Sequence, residues 1–170
     1  MCPSGTRTSA TEVAIRAAAA QDLPACRELF TEYQNALGVS LCFQGFDREL
    51  AELPGAYVPP RGGLWLATVD GKLAGCVALR PLGPEEAEMK RLYVRPDFRG
   101  HRLGRELAEV VIDAARAAGY RTLKLDTLPS MERAQQLYER LGFVETAPYN
   151  DNPVEGVRFL CLGLAGGAGA

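Results

Sequence analysis

The run from Glu88 to Leu107 constrains this chain more than any other, because it reads as a strand, a tight basic loop and the opening turns of a helix. Arg91 to Val94 has strand character, and Pro96 removes a backbone donor and ends the ladder. Gly100 and Gly104 bracket a turn whose backbone can approach a ligand closely. From Leu103 the apolar residues recur at Leu107, Val110, Val111, Ala114, Ala115 and Ala118, which is helical spacing. A helix entered through such a loop points unpaired amides and a positive dipole end at whatever sits there. Arg99, Arg102 and Arg105 surround the same turn, so the guest it favours is an anion, a phosphate above all.

Charge is distributed unevenly around this run. From Glu88 to Arg105 the basic residues Lys90, Arg91, Arg95, Arg99, Arg102 and Arg105 face only Glu88 and Asp97. From Gln21 to Leu53 the balance reverses, with Asp22, Glu28, Glu32, Asp47, Glu49 and Glu52 against Arg27 and Arg48. One region should attract phosphates and the other cations, unless the acids merely solvate helix faces.

The totals exclude several classes. At 170 residues the chain suits one domain with a substantial core. A net charge of −2 argues against a general nucleic-acid binder. No apolar run approaches the ~20 residues of a membrane helix, and the small polar N-terminus lacks the core of a secretory signal. A cytoplasmic protein is the expectation. Cys2, Cys26, Cys42, Cys76 and Cys161 are scattered and odd in number, and His101 is the sole histidine, so neither a disulfide framework nor a metal site is expected.

Along the chain, residues 1–11 read as a disordered lead and 165–170 as a flexible tail, with one domain over 12–164. Val13 to Ala18 can form a strand. Asp22 can cap a helix carrying Leu23, Cys26, Phe30, Tyr33 and Leu37 on one face and stopping at Gly38. A short second helix uses Phe46, Leu50 and Leu53. Leu64–Val69 and Lys72–Leu79 read as strands joined by Asp70-Gly71, a strong hairpin signal. In the strand Glu85–Val94, Met89 falls on one face and Leu92 and Val94 on the other; this suggests either a bulge near Lys90–Leu92 or burial on both sides. After the long helix come a strand (Arg121–Leu128), a helix capped by Ser130, and two last strands near Val144–Thr146 and Val157–Leu164. The order predicts a mixed α/β fold without repeats.

Arg99-Gly100-His101-Arg102-Leu103-Gly104 resembles the pyrophosphate signature Arg/Gln-x-x-Gly-x-Gly/Ala of the GNAT superfamily of acyl-coenzyme A-dependent N-acetyltransferases. Its first and last positions agree, and Arg102 replaces the central glycine. Ala134, Tyr138, Gly142 and Phe143 match a second family pattern, Ala-x-x-x-Tyr-x-x-x-Gly-Phe. The resemblance covers about residues 13 to 164. It implies a single GNAT-like domain with a mixed, mostly antiparallel sheet of six to seven strands flanked by four helices, split between strands 4 and 5 where a bulge opens a cofactor slot.

The roles below follow from that resemblance. Acetyl-CoA would be the acyl donor, its phosphates held by Arg99, Gly100, His101, Arg102, Leu103 and Gly104. The backbone of Leu92, Tyr93 and Val94 would pair with the pantetheine arm like an added strand, Val94 also serving the oxyanion. Tyr138 would protonate the leaving thiolate; the competing assignment is a core aromatic. Met131 occupies a position often held by asparagine, so a polar contact to pantetheine is missing or would come from Ser130. Glu88 is the candidate base, acting through water, or else a salt-bridge partner of Lys90 or Arg91.

The acceptor should be a small-molecule amine met by the segments Phe43–Asp47 and Tyr149–Pro153, whose aromatics and acids suit a cationic amine, unless the two are ordinary surface loops. A carboxylated amine could use Arg27 or Arg48. A protein N-acetyltransferase and a non-catalytic acyl-CoA sensor are the alternatives, and a homodimer is an expectation carried by the family.

Overall fold

The computed structural model describes residues 10–164; the expectations of a disordered lead and a flexible tail fall mostly outside the described residues. Its elements are β1 (Val13–Ala17), α1 (Leu23–Leu37), α2 (Phe46–Glu52), β2 (Gly63–Val69), β3 (Lys72–Pro81), β4 (Glu86–Val94), α3 (Leu103–Ala117), β5 (Thr122–Thr127), α4 (Glu132–Arg140), β6 (Val144–Glu145) and β7 (Arg158–Gly163). They follow the predicted order and make one seven-stranded sheet, β1-β2-β3-β4-β5-β7-β6. Every pairing is antiparallel except β4 with β5. The parallel pair has a simple cause: α3 must cross over between its two strands.

Two apolar layers sandwich the sheet. On one face α1 and α2 bury Leu29, Phe30 and Phe46 against Leu64, Leu66 and Ala78. On the other, α3 buries Leu103, Leu107, Ala108, Val111, Ile112 and Ala115, joined by Tyr138 and Phe143 from the α4 region. The buried stripe of α3 is thus centred on Ala108 and Ile112, whereas Val110 and Ala114 are only half-buried at its edge. The β2–β3 turn is the predicted Asp70-Gly71 hairpin, both residues at positive φ (48° and 78°) as a type I′ turn requires.

Two local expectations need correction. Met131, rather than Ser130, is the N-cap of α4, and no side chain caps that helix. Asp22 does stand at the N-cap of α1, yet its carboxylate makes no cap bond there; it turns back to Arg16 and to the amide of Ala19. The salt bridge outcompetes the helix amides for the same oxygens.

The bulge in β4 is present, and it decides the architecture. Arg91 has φ 58°, and the register with β3 slips between Cys76 and Ala78, so Met89 and Lys90 are paired in one phase and Tyr93 and Val94 in the other. An extra residue bends its strand and sharpens the twist. The pairing of β4 with β5 accordingly stops at Glu88↔Lys124, and beyond it the two strands part.

The network under the bulge holds it in place. The guanidinium of Arg91 reaches Glu49 of α2 through Nη2 at 2.6 Å and Nε at 3.1 Å, and donates to Gln44 at 3.1 Å. Tyr57 donates to the same Glu49 carboxylate. A non-glycine residue in the left-handed region costs about 1–2 kcal/mol, and this buried ion pair offsets it.

Candidate active site

The parting of β4 and β5 opens a cleft of about 680 Å³. Its walls include Leu92, Tyr93 and Val94 of β4, Arg99, Gly100, Arg102, Leu103 and Gly104 at the start of α3, and Ser130, Met131 and Ala134 at the start of α4. Of the residues expected at a cofactor site, His101 alone does not line it; it is exposed.

Alternation along β4 shows how its backbone is presented. The amide of Arg95 donates to Ala74 of β3, so the N–H and C=O groups of Val94 and Leu92 point the other way, into the split. An extended ligand could pair with them as a strand would. At the mouth, α3 begins without any side-chain cap, leaving its first-turn amides available.

The departure from the glycine signature now has a geometry. Arg102 is the N-cap of α3 and adopts φ 61°, ψ 18°, the left-handed conformation glycine would take without penalty. Arg102→Gly is therefore expected to stabilise the fold by about 1 kcal/mol, read as a rise in urea midpoint. A lower midpoint would mean that the arginine side chain makes a contact worth more than the strain.

The basic run divides by environment. Arg95 pairs with Glu28 and Glu32, and Arg105 with Glu109. Arg99 and Arg102 line the cleft with no acidic partner among the described residues. The acids of residues 21–53 are largely neutralised as well: Asp22 by Arg16, Glu49 by Arg91, Glu52 by Arg48. Arg27 and Arg48, considered for a carboxylated acceptor, line none of the cavities at the split; Arg27 bonds to the Leu50 carbonyl and Arg48 is surface-exposed.

Behind the cleft lies a narrow inner chamber of about 30 Å³, sharing Tyr33, Leu37, Leu92 and Met131 with it. Tyr138 lines this chamber from α4, with Lys90, Asp126, Gln44 and Asn152 around it. The ring of Tyr138 is buried edge-on against Phe143, and its hydroxyl makes no hydrogen bond among the described residues. Burial, with smaller contributions from Tyr33 and Asp126, pushes its pKa well above the usual phenol value, so the proton stays on.

Glu88 sits elsewhere. It is fully buried, and it lines none of the cavities at the split. Arg80 reaches Oε2 at 2.7 Å, Tyr149 donates to Oε1 at 3.0 Å, and Lys90 stands 3.9 Å away. Its main partner is thus Arg80 of β3, directly across the β3–β4 pairing, rather than Lys90 or Arg91.

Three residues that the sequence does not mark as site residues also converge here. Tyr33 of α1 bounds both the cleft and the chamber, and burial raises its pKa to about 12. Lys90 is buried beside a neutral partner, Gln44 Oε1 at 3.1 Å; desolvation lowers its pKa to about 8, with Glu88 opposing. Asp126 of β5 accepts the side-chain amides of Asn150 (3.0 Å) and Asn152 (3.1 Å) on Oδ2. The Tyr149–Pro153 segment was flagged in the sequence, but its partner strand was not, because a lone aspartate in an alternating strand carries no local signal. The side chain of Phe43, in the other flagged segment, is outside what the structure describes. Among the described residues no group of three or more His, Cys, Asp or Glu could hold a metal, and no helix is long and apolar enough to cross a membrane.

The strands part at a bulge, a helix N-terminus stands at the mouth of the opening, and a tyrosine lines the chamber behind it. The chain belongs to the family described as Acetyltransferase (GNAT), whose model matches residues 23–143. It is 41% identical to an uncharacterised N-acetyltransferase of Schizosaccharomyces pombe over 85% of this chain and 90% of that one. Its fold resembles a GNAT acetyltransferase of Staphylococcus aureus (TM-score 0.75, 21% identity, 90% and 99% of the two chains). It also resembles the Salmonella typhimurium protein yncA, solved with its cofactor acetyl-CoA (TM-score 0.69, 22% identity, 93% and 96% covered).

Proposed function

We propose that this N-acetyltransferase moves the acetyl group of acetyl-CoA to the amine of a small molecule, with Tyr138 protonating the leaving thiolate. The observation that carries the reading is the continuity of one path. It runs from the uncapped start of α3, along the outward-facing backbone of Leu92 and Val94, to the unbonded hydroxyl of Tyr138. The cleft volume lies within the usual range of ligand sites, about 300–1,000 Å³. Arg99, Arg102 and the amides of Leu103 and Gly104 suit a diphosphate, while His101 stands off the cleft wall.

The chemistry asks three things of the chain. The carbonyl oxygen needs a donor as charge develops on it, and the amide of Val94 or Leu92 faces the right space. The departing sulfur needs a proton, and Tyr138 keeps one available. The attacking nitrogen must first lose a proton, because an unperturbed amine near pKa ~10 is charged at neutral pH. Glu88, with both oxygens engaged, is better suited to anchoring Tyr149 and Arg80 than to that task. The narrowness of the chamber favours a small polar head group as acceptor.

The test is acetyl transfer to a panel of small amines, followed by free thiol release. Turnover with at least one acceptor is expected. Binding of acetyl-CoA without turnover of any amine or peptide would make the protein a sensor instead. At the phosphate end, Arg99→Ala and Gly104→Asp should each weaken acetyl-CoA binding by about 1.5–3 kcal/mol, measured by calorimetry. Native affinity in both variants would place the diphosphate somewhere else.

A further inference from the structure

Lys90 and Asp126 hold matched positions on the two strands that part. The last paired residues are Glu88 and Lys124, and Lys90 and Asp126 each stand two residues further along their own strand. Side chains two apart share a face, and neither strand slips within that interval. Both therefore face the same side of the sheet, opposite one another across the opening. Both line the inner chamber beside Tyr138.

Lys90 shares its nearest carboxylate, Glu88, with Arg80, and Asp126 has no cationic partner among the described residues. Lys90 is 8% exposed and bonds to the neutral Gln44 Oε1, while the nearest carboxylate, Glu88, is 3.9 Å away and held by Arg80 at 2.7 Å. Among the described residues Asp126 is the only acid lining the chamber, and its partners are two neutral amides. Both amides bond to Oδ2, and Oδ1 accepts no side-chain hydrogen bond among the described residues. These amides are themselves fixed: Asn150 accepts from the Asn152 backbone, and Asn152 from that of Val154. Other carboxylates near the split, Glu32, Glu49 and Glu88, all have arginine partners. Lys90 is buried and Asp126 half-buried, each bonded to neutral amides, and desolvated charge held mainly by neutral partners is costly, so two groups of opposite sign facing one chamber suit a ligand that carries the complementary pair.

We infer that the acceptor is a zwitterion, an amino acid, whose ammonium rests on Asp126 and whose carboxylate rests on Lys90. The inference depends on the acetyl-transfer reading above. One ammonium proton passes to Asp126 and then to solvent, and the freed nitrogen attacks the thioester carbonyl carbon. The C–N bond forms, the C–S bond breaks, and the sulfur takes the proton of Tyr138. The tyrosine recovers its proton from the newly acylated nitrogen, leaving a neutral amide. A side chain of the acceptor has room toward the neighbouring cavity of about 140 Å³, which shares Gln44, Lys90 and Arg91 with the chamber.

The deciding experiment compares kcat/KM for a set of α- and ω-amino acids with that for their carboxamides, at fixed acetyl-CoA. The native protein should prefer at least one amino acid over its carboxamide by about 10- to 100-fold, the worth of one charge-assisted contact. Lys90→Met should bring that ratio near one, and Lys90→Arg should keep it. Asp126→Asn should cost cationic amines about 10- to 100-fold more than it costs methoxyamine, whose nitrogen is neutral at pH 7. Acetyl-CoA affinity and thermal stability near native values verify that each variant is folded; an apolar side chain in place of a desolvated lysine is well tolerated. Carboxamides acetylated as fast as the acids by the native protein, or a ratio unmoved by Lys90→Met, would overturn the inference and leave the acetyl-transfer reading standing. Acetylation of no amine at all would overturn both.

Discussion

Tyr138→Phe is expected to lower kcat for acetyl transfer by about 100- to 10,000-fold, while acetyl-CoA affinity stays within about twofold of native. The size follows from losing a positioned proton donor at the step where the thiolate departs. Affinity is spared because Tyr138 lines the inner chamber and not the wider cleft. Stability is spared too: the phenylalanine ring keeps the edge-on contact with Phe143, and no hydrogen bond of the hydroxyl is lost among the described residues. Folding and catalysis are therefore separable at this position. Retention of native kcat in Tyr138→Phe would return the residue to the role of core aromatic and give the proton to solvent.

The second large effect concerns the bulge. Glu49→Ala should destabilise the protein by about 3–5 kcal/mol, because it leaves the Arg91 guanidinium buried without its counter-charge. Only 3% of that arginine side chain is exposed, so water cannot replace the lost partner. For a chain of this length the shift in Tm should be roughly 10 °C, measured by calorimetric or circular-dichroism melting. Glu52→Ala, three residues along the same helix, breaks only the exposed pair with Arg48 and should change stability by about 0.5 kcal/mol or less. Equal effects in the two variants would mean that Arg91 finds compensation elsewhere, through Gln44 or the faces of Tyr33 and Phe46. Since the same network holds β4 in its bent course, Glu49→Ala should also weaken acetyl-CoA binding.

Much of this was legible in the sequence, for physical reasons that differ by element. The hairpin at Asp70-Gly71 and the start of α3 carry their own backbone chemistry, and the structure places both as read. The bulge was legible as a conflict of side-chain parity between Met89 and Leu92, which only an extra residue or two-sided burial could resolve. The cleft-lining residues from Leu92 to Gly104 lie close together in sequence, so reading one located the rest, apart from the exposed His101, which does not line the cleft. Elements whose ends depend on competition were less legible. Asp22 gave its oxygens to Arg16, and Ser130 yielded the N-cap of α4 to Met131.

The inner chamber was the least legible part. Lys90 looked like one more cation in a basic run, and Asp126 like a polar position in a half-buried strand. Their relation exists only because β4 and β5 are parallel neighbours that separate after Glu88 and Lys124, a property of the assembled sheet. Glu88 and Arg80 likewise meet only through the antiparallel register of β3 with β4. Sequence proximity favoured Lys90 or Arg91 as the partner, and strand pairing selected a residue from the other strand.

Whether the split between β4 and β5 is a coenzyme site decides every role assigned to its residues. Titration calorimetry of the native protein with acetyl-CoA, repeated with Arg99→Ala, measures this directly. A saturable heat at one site per chain, weakened about 10- to 100-fold by the substitution, is the predicted result. Folded native protein that shows no heat with acetyl-CoA up to about 1 mM would contradict it.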